Sequence, residues 1–146
     1  MSRERITSAK RIVIKIGSSS LTGKAGSELD ESAVEQLVSV VAACKKRGAE
    51  VVVVSSGAIA AGLAPLGLTS RPKDLATQQA AASVGQGLLI AKYTQSFAKH
   101  SITASQILIT TEDVVRRSHY QNAQRTLYRL LPVSYTHLTL PTICSV

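Results

Sequence analysis

Residues 50–55 read Glu-Val-Val-Val-Val-Ser, and this short run restricts the fold more than any other stretch. Four consecutive valines leave no polar side for a half-exposed strand. The run therefore predicts a strand covered on both faces, as in a parallel sheet. A second strand is expected at 11–16, Arg-Ile-Val-Ile-Lys-Ile, where β-branched side chains favour extended backbone and Gly17 ends the run. Between the two, Asp30 can cap a helix that carries Val34, Leu37, Val38, Val41 and Cys44 as an apolar stripe. Lys45-Lys46-Arg47 suit its negative pole, and Gly48 supplies the turn that stops it. Further on, a short helix is expected at 57–62, a loop marked by Pro65, Gly67 and Pro72, and a long helix from Asp74 to about Lys99. A third strand at 102–109 and a helix at 111–131 complete the series. The alternation predicts an α/β fold, a three-layer sandwich with a mainly parallel sheet and right-handed crossovers.

At 146 residues the chain is sized for one domain with a core of its own. The longest apolar runs are strand-sized, so no membrane partner is expected. Met1 to Lys10 is basic without an apolar segment or cleavage site, so no secretory signal is read there. Cys44 and Cys144 form no disulfide framework and no metal spacing, which fits reduced thiols and a cytoplasmic location. The net charge of +8 raises the question of nucleic acid. Aromatics are only 3%, too few for a base-stacking platform, and the basic residues are scattered. After Asp113 the last 33 residues hold four arginines and no carboxylate. That imbalance is what the loss of an acidic half would leave.

Lys15 is the first candidate for chemistry. Ile12, Ile14 and Ile16 share one face of their strand; Val13 and Lys15 share the other. If helices cover both faces, Lys15 is a charge in or at the rim of the core and calls for an anion. If the strand lies at an edge, the lysine simply reaches solvent. It stands near the carboxyl end of its strand, the side on which open α/β sheets bind ligands. Gly17 and Ser18 follow, small residues whose N–H groups can meet phosphate oxygens. Ser55-Ser56-Gly57-Ala58 ends the second strand and opens a helix, where Ser56 and free N–H groups can hold a carboxylate. Gly17 to Ala25 mimics a P-loop, but five residues separate Gly17 from Gly23 and Ala25 follows Lys24, so the motif fails. Gly85-Gln86-Gly87 lies inside a helical stretch and lacks a third glycine, so close helix packing explains it better than dinucleotide binding.

Ile-Val-Ile-Lys15-Ile-Gly17-Ser18 with Leu21-Thr22 resembles the opening of the amino-acid kinase family. The stretch from Val52 through Ser56-Gly57-Ala58-Ile59-Ala60-Ala61-Gly62 narrows the resemblance to the branch that acts on L-glutamate. Gln79-Ala80, Ala82 to Gln86, Leu89-Ile90, Gln106 to Leu108 and Tyr120 to Ala123 with Thr126 fit the same branch. The resemblance implies ATP-dependent phosphorylation of the glutamate side-chain carboxylate, with Mg²⁺, as the first step of proline biosynthesis. It implies that Lys15 is catalytic and touches the transferring phosphoryl group. It implies that Gly17 and Ser18 line the phosphate site, and that Ser56, Gly57 and Ala58 line the glutamate site. A homo-oligomer and a glutamyl phosphate reductase partner are implied for the complete enzyme. Alternatives are a related kinase acting on acetylglutamate or aspartate, or a non-catalytic basic module that binds anions or nucleic acid.

The resemblance covers residues 10–131. Residues 132–146 show neither a strand-and-turn nor a helix pattern, with Pro132 and Pro141 and no Asn-Glu-Asn-Asp stretch. The expectation is an N-terminal half-domain at 1–131, followed at 132–146 by a foreign or disordered tail. Such a chain is expected to be inactive alone and, with sheet edge and apolar surface exposed, poorly soluble.

Overall fold

In the computed structural model, the described residues are 8–23, 29–132 and, as backbone, 135–139. Lys24 and Ala25, which break the P-loop spacing, lie outside them, as do Cys144 and the start of the chain.

β1 (Arg11–Ile16) and β2 (Glu50–Ser55) stand where the valine- and isoleucine-rich runs place them. They pair in parallel, with Ile12 opposite Val51 and Ile16 opposite Ser55. α1 (Glu31–Lys46) connects them. Its cap is Asp30, whose carboxylate accepts from the N–H of Ser32 at 2.9 Å and of Ala33 at 3.2 Å. Gly48 follows with φ of +79°, a left-handed conformation that costs a residue with a Cβ. α2 (Ala58–Leu63) is a single short helix, and α3 (Leu75–Ala98) is the long one. β3 (Ala104–Leu108) follows.

The helix expected at 111–131 is two helices, α4 (Thr111–Val115) and α5 (Arg117–Leu130). Arg116 between them is extended, with ψ of 118°. Thr110 and Asp113 close a reciprocal capping box that fixes the start of α4, and the helix runs for about one turn and a half.

β4 (Tyr135–Thr139) lies between β2 and β3, parallel to both, and completes the order β1-β2-β4-β3. The expectation of no strand in 132–146 is therefore corrected at 135–139. Tyr-Thr-His-Leu-Thr is made of good strand formers, yet five residues following Pro132 give a weak local signal. What holds them extended is tertiary: without them the facing edges of β2 and β3 would have no hydrogen-bond partner. Residues 140–146 lie outside the described residues.

One face of the sheet carries α1 and α3. Val34, Val38 and Val41 of α1, Val51 and Val53 of β2, and Leu89, Tyr93 and Phe97 of α3 form the main core. Ion pairs Lys92–Glu31 and Lys99–Glu35 link the two helices along their outer side. On the other face α5 leaves an apolar groove between Val13 and Val52 of the sheet and Tyr120, Leu127 and Tyr128 of the helix. The Arg11 guanidinium stacks 5.0 Å from the Tyr128 ring centre at the end of that groove. The parallel, three-layer arrangement expected from the sequence is the one found.

α2 and α3 touch at backbone distance. A Cβ on Gly62 would stand 1.9 Å from the Ala81 oxygen, and one on Gly85 would stand 1.8 Å from the Ala58 oxygen. Gly85 thus serves helix packing, as expected. Gly87, the other half of the Gly-Gln-Gly motif, has nothing within 4 Å of such a Cβ and plays no packing part.

Candidate active site

Because β1 and β2 are parallel and in register, both chains leave the sheet at the same level, Gly17 beside Ser56. After Gly17, residues Ser18–Ser20 form one tight 3₁₀ turn closed by Ser20 N–H to Gly17 O at 3.1 Å. Leu21 then turns into the core, 1% exposed, and anchors the loop. At the end of β2, Ser55 is buried and its hydroxyl accepts from the Gly57 N–H at 3.4 Å. The two loops pack on each other here: a Cβ on Gly57 would meet Leu21 Cδ1 at 3.4 Å. Beneath them the buried Tyr93 hydroxyl is pushed up to about 12 by burial, with a hydrogen bond from Ser55 opposing.

Above this floor is a cavity of about 210 Å³. Hydroxyls of Ser18, Ser19, Thr22 and Ser56 line it, Ile59, Ala60 and Leu63 give it an apolar side, and Arg71 completes the wall. Among the described residues no carboxylate lines it. Such a surface offers hydrogen-bond donors and one fixed positive charge to a small anion.

The structure brings Ser18 and Ser56 into this one cavity. Gly57 and Ala58 lie directly behind Ser56, both buried, and present no side chain to it. Gly17 is exposed at the rim with φ of −76°, a conformation open to any residue. Among the described residues a Cβ there would meet nothing nearer than Ser19 Oγ at 4.0 Å, so none of them demands a glycine.

Lys15 departs from one of the two expected placements. It is exposed, on the sheet face shared with Arg11 and Val13, and it does not line the cavity. β1 is an edge of the sheet among the described residues, and α5 covers this face only lower down, at Val13 and Val52. The lysine therefore needs no buried counter-ion. Sequence reasoning also missed Ser19, Thr22 and Arg71. The two hydroxyls belong to the loop already singled out. Arg71 sits in an irregular segment, where no periodicity marks a residue as facing a site.

Among the described residues no group of three His, Cys, Asp or Glu is placed to hold a metal. No helix of the described residues is long and apolar enough to cross a membrane.

A parallel sheet with a small-residue loop after its first strand and a serine turn after its second is the architecture of a known class. The amino acid kinase family profile matches residues 10–140, and the chain belongs to that family. Among individual proteins it is 60% identical over 131 residues to the glutamate 5-kinase of Thermobifida fusca, covering 90% of this chain and 34% of that protein. It is 61% identical over 129 residues to the glutamate 5-kinase of Salinispora arenicola, covering 88% of this chain and 35% of that one. The glutamate 5-kinase of Streptomyces coelicolor is 59% identical over 129 residues, with 88% and 34% covered. The chain thus spans about a third of the length of the curated relatives it matches.

Proposed function

We propose that this chain is the N-terminal part of a kinase that transfers the γ-phosphoryl group of ATP to the side-chain carboxylate of L-glutamate, giving L-glutamyl 5-phosphate for proline synthesis. The observation that carries the reading is the meeting of Ser18 and Ser56 in one cavity where β1 and β2 end, lined among the described residues by serines, a threonine, aliphatic side chains and Arg71 with no carboxylate. The kinship with glutamate 5-kinases supports the choice of acceptor.

In the proposed step a carboxylate oxygen attacks the γ-phosphorus, the bond to the ADP oxygen breaks, and no proton is transferred. Such chemistry needs positioning and charge stabilisation more than covalent participation. Ser56 donates to the acceptor carboxylate, with Gly57 and Ala58 holding its turn. Gly17, which no described residue requires to be a glycine, leaves backbone open to the phosphate beside the Ser18 hydroxyl. Lys15 reaches from the carboxyl end of β1 toward the passing phosphoryl group. Its exposure and lack of an ion-pair partner among the described residues leave the side chain available for that role. Mg²⁺ would accompany ATP. The reading includes a cytoplasmic location, a homo-oligomeric complete enzyme and a reductase that takes up the acyl phosphate. It also keeps the half-domain boundary near residue 131, which sequencing past that codon tests. The 146-residue chain alone is expected to turn over nothing.

The test is hydroxylamine trapping of acyl phosphate by the complete enzyme, with glutamate, acetylglutamate and aspartate offered in parallel. Glutamate is expected to react. Lys15→Ala is expected to lower kcat about 10²–10³-fold, the loss typical of one donor to a developing charge. Preference for another acceptor, or an unchanged kcat in that variant, would overturn the acceptor or the role of Lys15 respectively. Salt-sensitive binding of nucleic acid without any kinase activity would favour a basic binding module instead.

A further inference from the structure

We infer that Arg71 is a specificity-determining residue of this cavity, pairing with the carboxylate of the acceptor that does not react; the inference rests on the function proposed above. Three observations carry it. Among the described residues that line the cavity Arg71 is the only charged one, and its neighbours there are serines, a threonine and aliphatic side chains. It forms no ion pair with a carboxylate among the described residues. And the irregular segment that carries it is fastened on both sides. Upstream, Leu68 N–H bonds Leu63 O at 2.9 Å. Downstream, Gln78 Nε2 donates to Pro72 O at 2.9 Å, and Asp74 accepts from Thr77 N–H at 2.8 Å to cap α3. Pro72 itself removes backbone freedom next to the arginine. The backbone that presents the guanidinium is thus held, although the side chain is exposed.

A guanidinium offers a planar pair of donors that matches one carboxylate. Chemistry decides which of the two carboxylates of an acidic amino acid it takes. The reacting oxygen must keep its electron density to attack phosphorus, and a bidentate arginine would draw that density away. The attacking group is better served by the neutral hydroxyl of Ser56. The arginine then binds the non-reacting carboxylate, setting the length of acceptor that fits and favouring acceptors with two carboxylates over those with one.

The test compares wild type, Arg71→Ala and Arg71→Lys in the complete enzyme, each checked for an unchanged melting temperature. The expected result for Arg71→Ala is a rise of about tenfold or more in KM for glutamate, from the loss of a charge-assisted pair. KM for ATP should stay within about twofold and kcat change little, because the contact is the same in ground and transition states. Arg71→Lys should fall between. The advantage of glutamate over 4-aminobutyrate, which keeps the reacting carboxylate and lacks the other, should shrink in Arg71→Ala. An active wild type with an unchanged KM for glutamate in Arg71→Ala overturns this assignment and leaves the proposed reaction intact. A fall in kcat at constant KM overturns it too, placing the arginine on the phosphoryl group. A wild type that makes no acyl phosphate from glutamate removes both.

Discussion

Gly85→Ala isolates the contact between α2 and α3. The new Cβ would lie 1.8 Å from the Ala58 oxygen and 2.5 Å from the Gly62 nitrogen, where ordinary contact begins at 3.4 Å. The helices must separate by on the order of 1.5 Å, since the obstacles are backbone atoms that no rotamer change can move. A gap of 0.5–1 Å already forfeits about a quarter to a half of each dispersion contact. Here the affected contacts are those of Ile59, Leu63 and Ala81, at 4%, 2% and 0% exposed. Overpacking costs roughly 1–3 kcal/mol or more, and the rigidity of this contact places it at the upper end. Alanine returns about 1 kcal/mol of helix propensity. The net expectation is a loss of about 2–3 kcal/mol. Urea denaturation of Gly85→Ala and of Gly87→Ala provides the comparison. Gly87 is exposed in the same helix with open space around it, so that variant should gain about 0.5–1 kcal/mol. Equal effects at the two positions, or no loss at Gly85, would refute the claim of backbone contact.

Asp30→Ala should cost about 1 kcal/mol in the same assay by leaving the Ser32 and Ala33 N–H groups without their carboxylate acceptor; no change means the cap does not form in solution. Glu35 is held below its ordinary value of 4.5 by Lys99 and then Ser96, and Asp74 below 3.8 by the Thr77 N–H. Their contributions are complete above those ordinary values and are lost as pH falls through the lower, folded values. Melting temperatures measured between pH 6 and pH 2 should therefore decline below about pH 4.5, and less steeply in Glu35→Gln. Tyr93 works in the opposite sense. Its hydroxyl is raised from 10.0 to about 12 by burial, so stability present below pH 10 should drain away as pH rises toward 12. Tyr93→Phe, followed by circular dichroism over that range, should flatten the alkaline limb.

What the sequence disclosed and what it hid have separate physical causes. The valines of β2, the isoleucines of β1 and the stripe of α1 repeat at the period of their own backbone, so each announces its element without help from distant residues. Ser18 and Ser56 were legible for a related reason: each follows a strand end, and parallel strands in register bring such ends together. β4 was illegible because its extended form is imposed by two partner strands rather than by its five residues. The break at Arg116 is one residue of extended backbone inside a run that otherwise suits a helix, so no period marks it. Lys15 could not be placed from its strand alone, since its burial depends on what covers the opposite face. Arg71 lies 15 positions from Ser56 across a helix and a bend, beyond the reach of any spacing rule.

The strand order β1-β2-β4-β3 has a consequence for how the molecule assembles. β4 follows β3 in the chain yet lies between it and β2, so among the described residues β3 has no neighbour to join until residue 139 has left the ribosome. The unit from β1 to α3, which holds both clusters of buried side chains, can condense earlier. Nascent chains halted before Tyr135 should therefore carry a protease-resistant amino-terminal block and a β3 segment still open to cleavage.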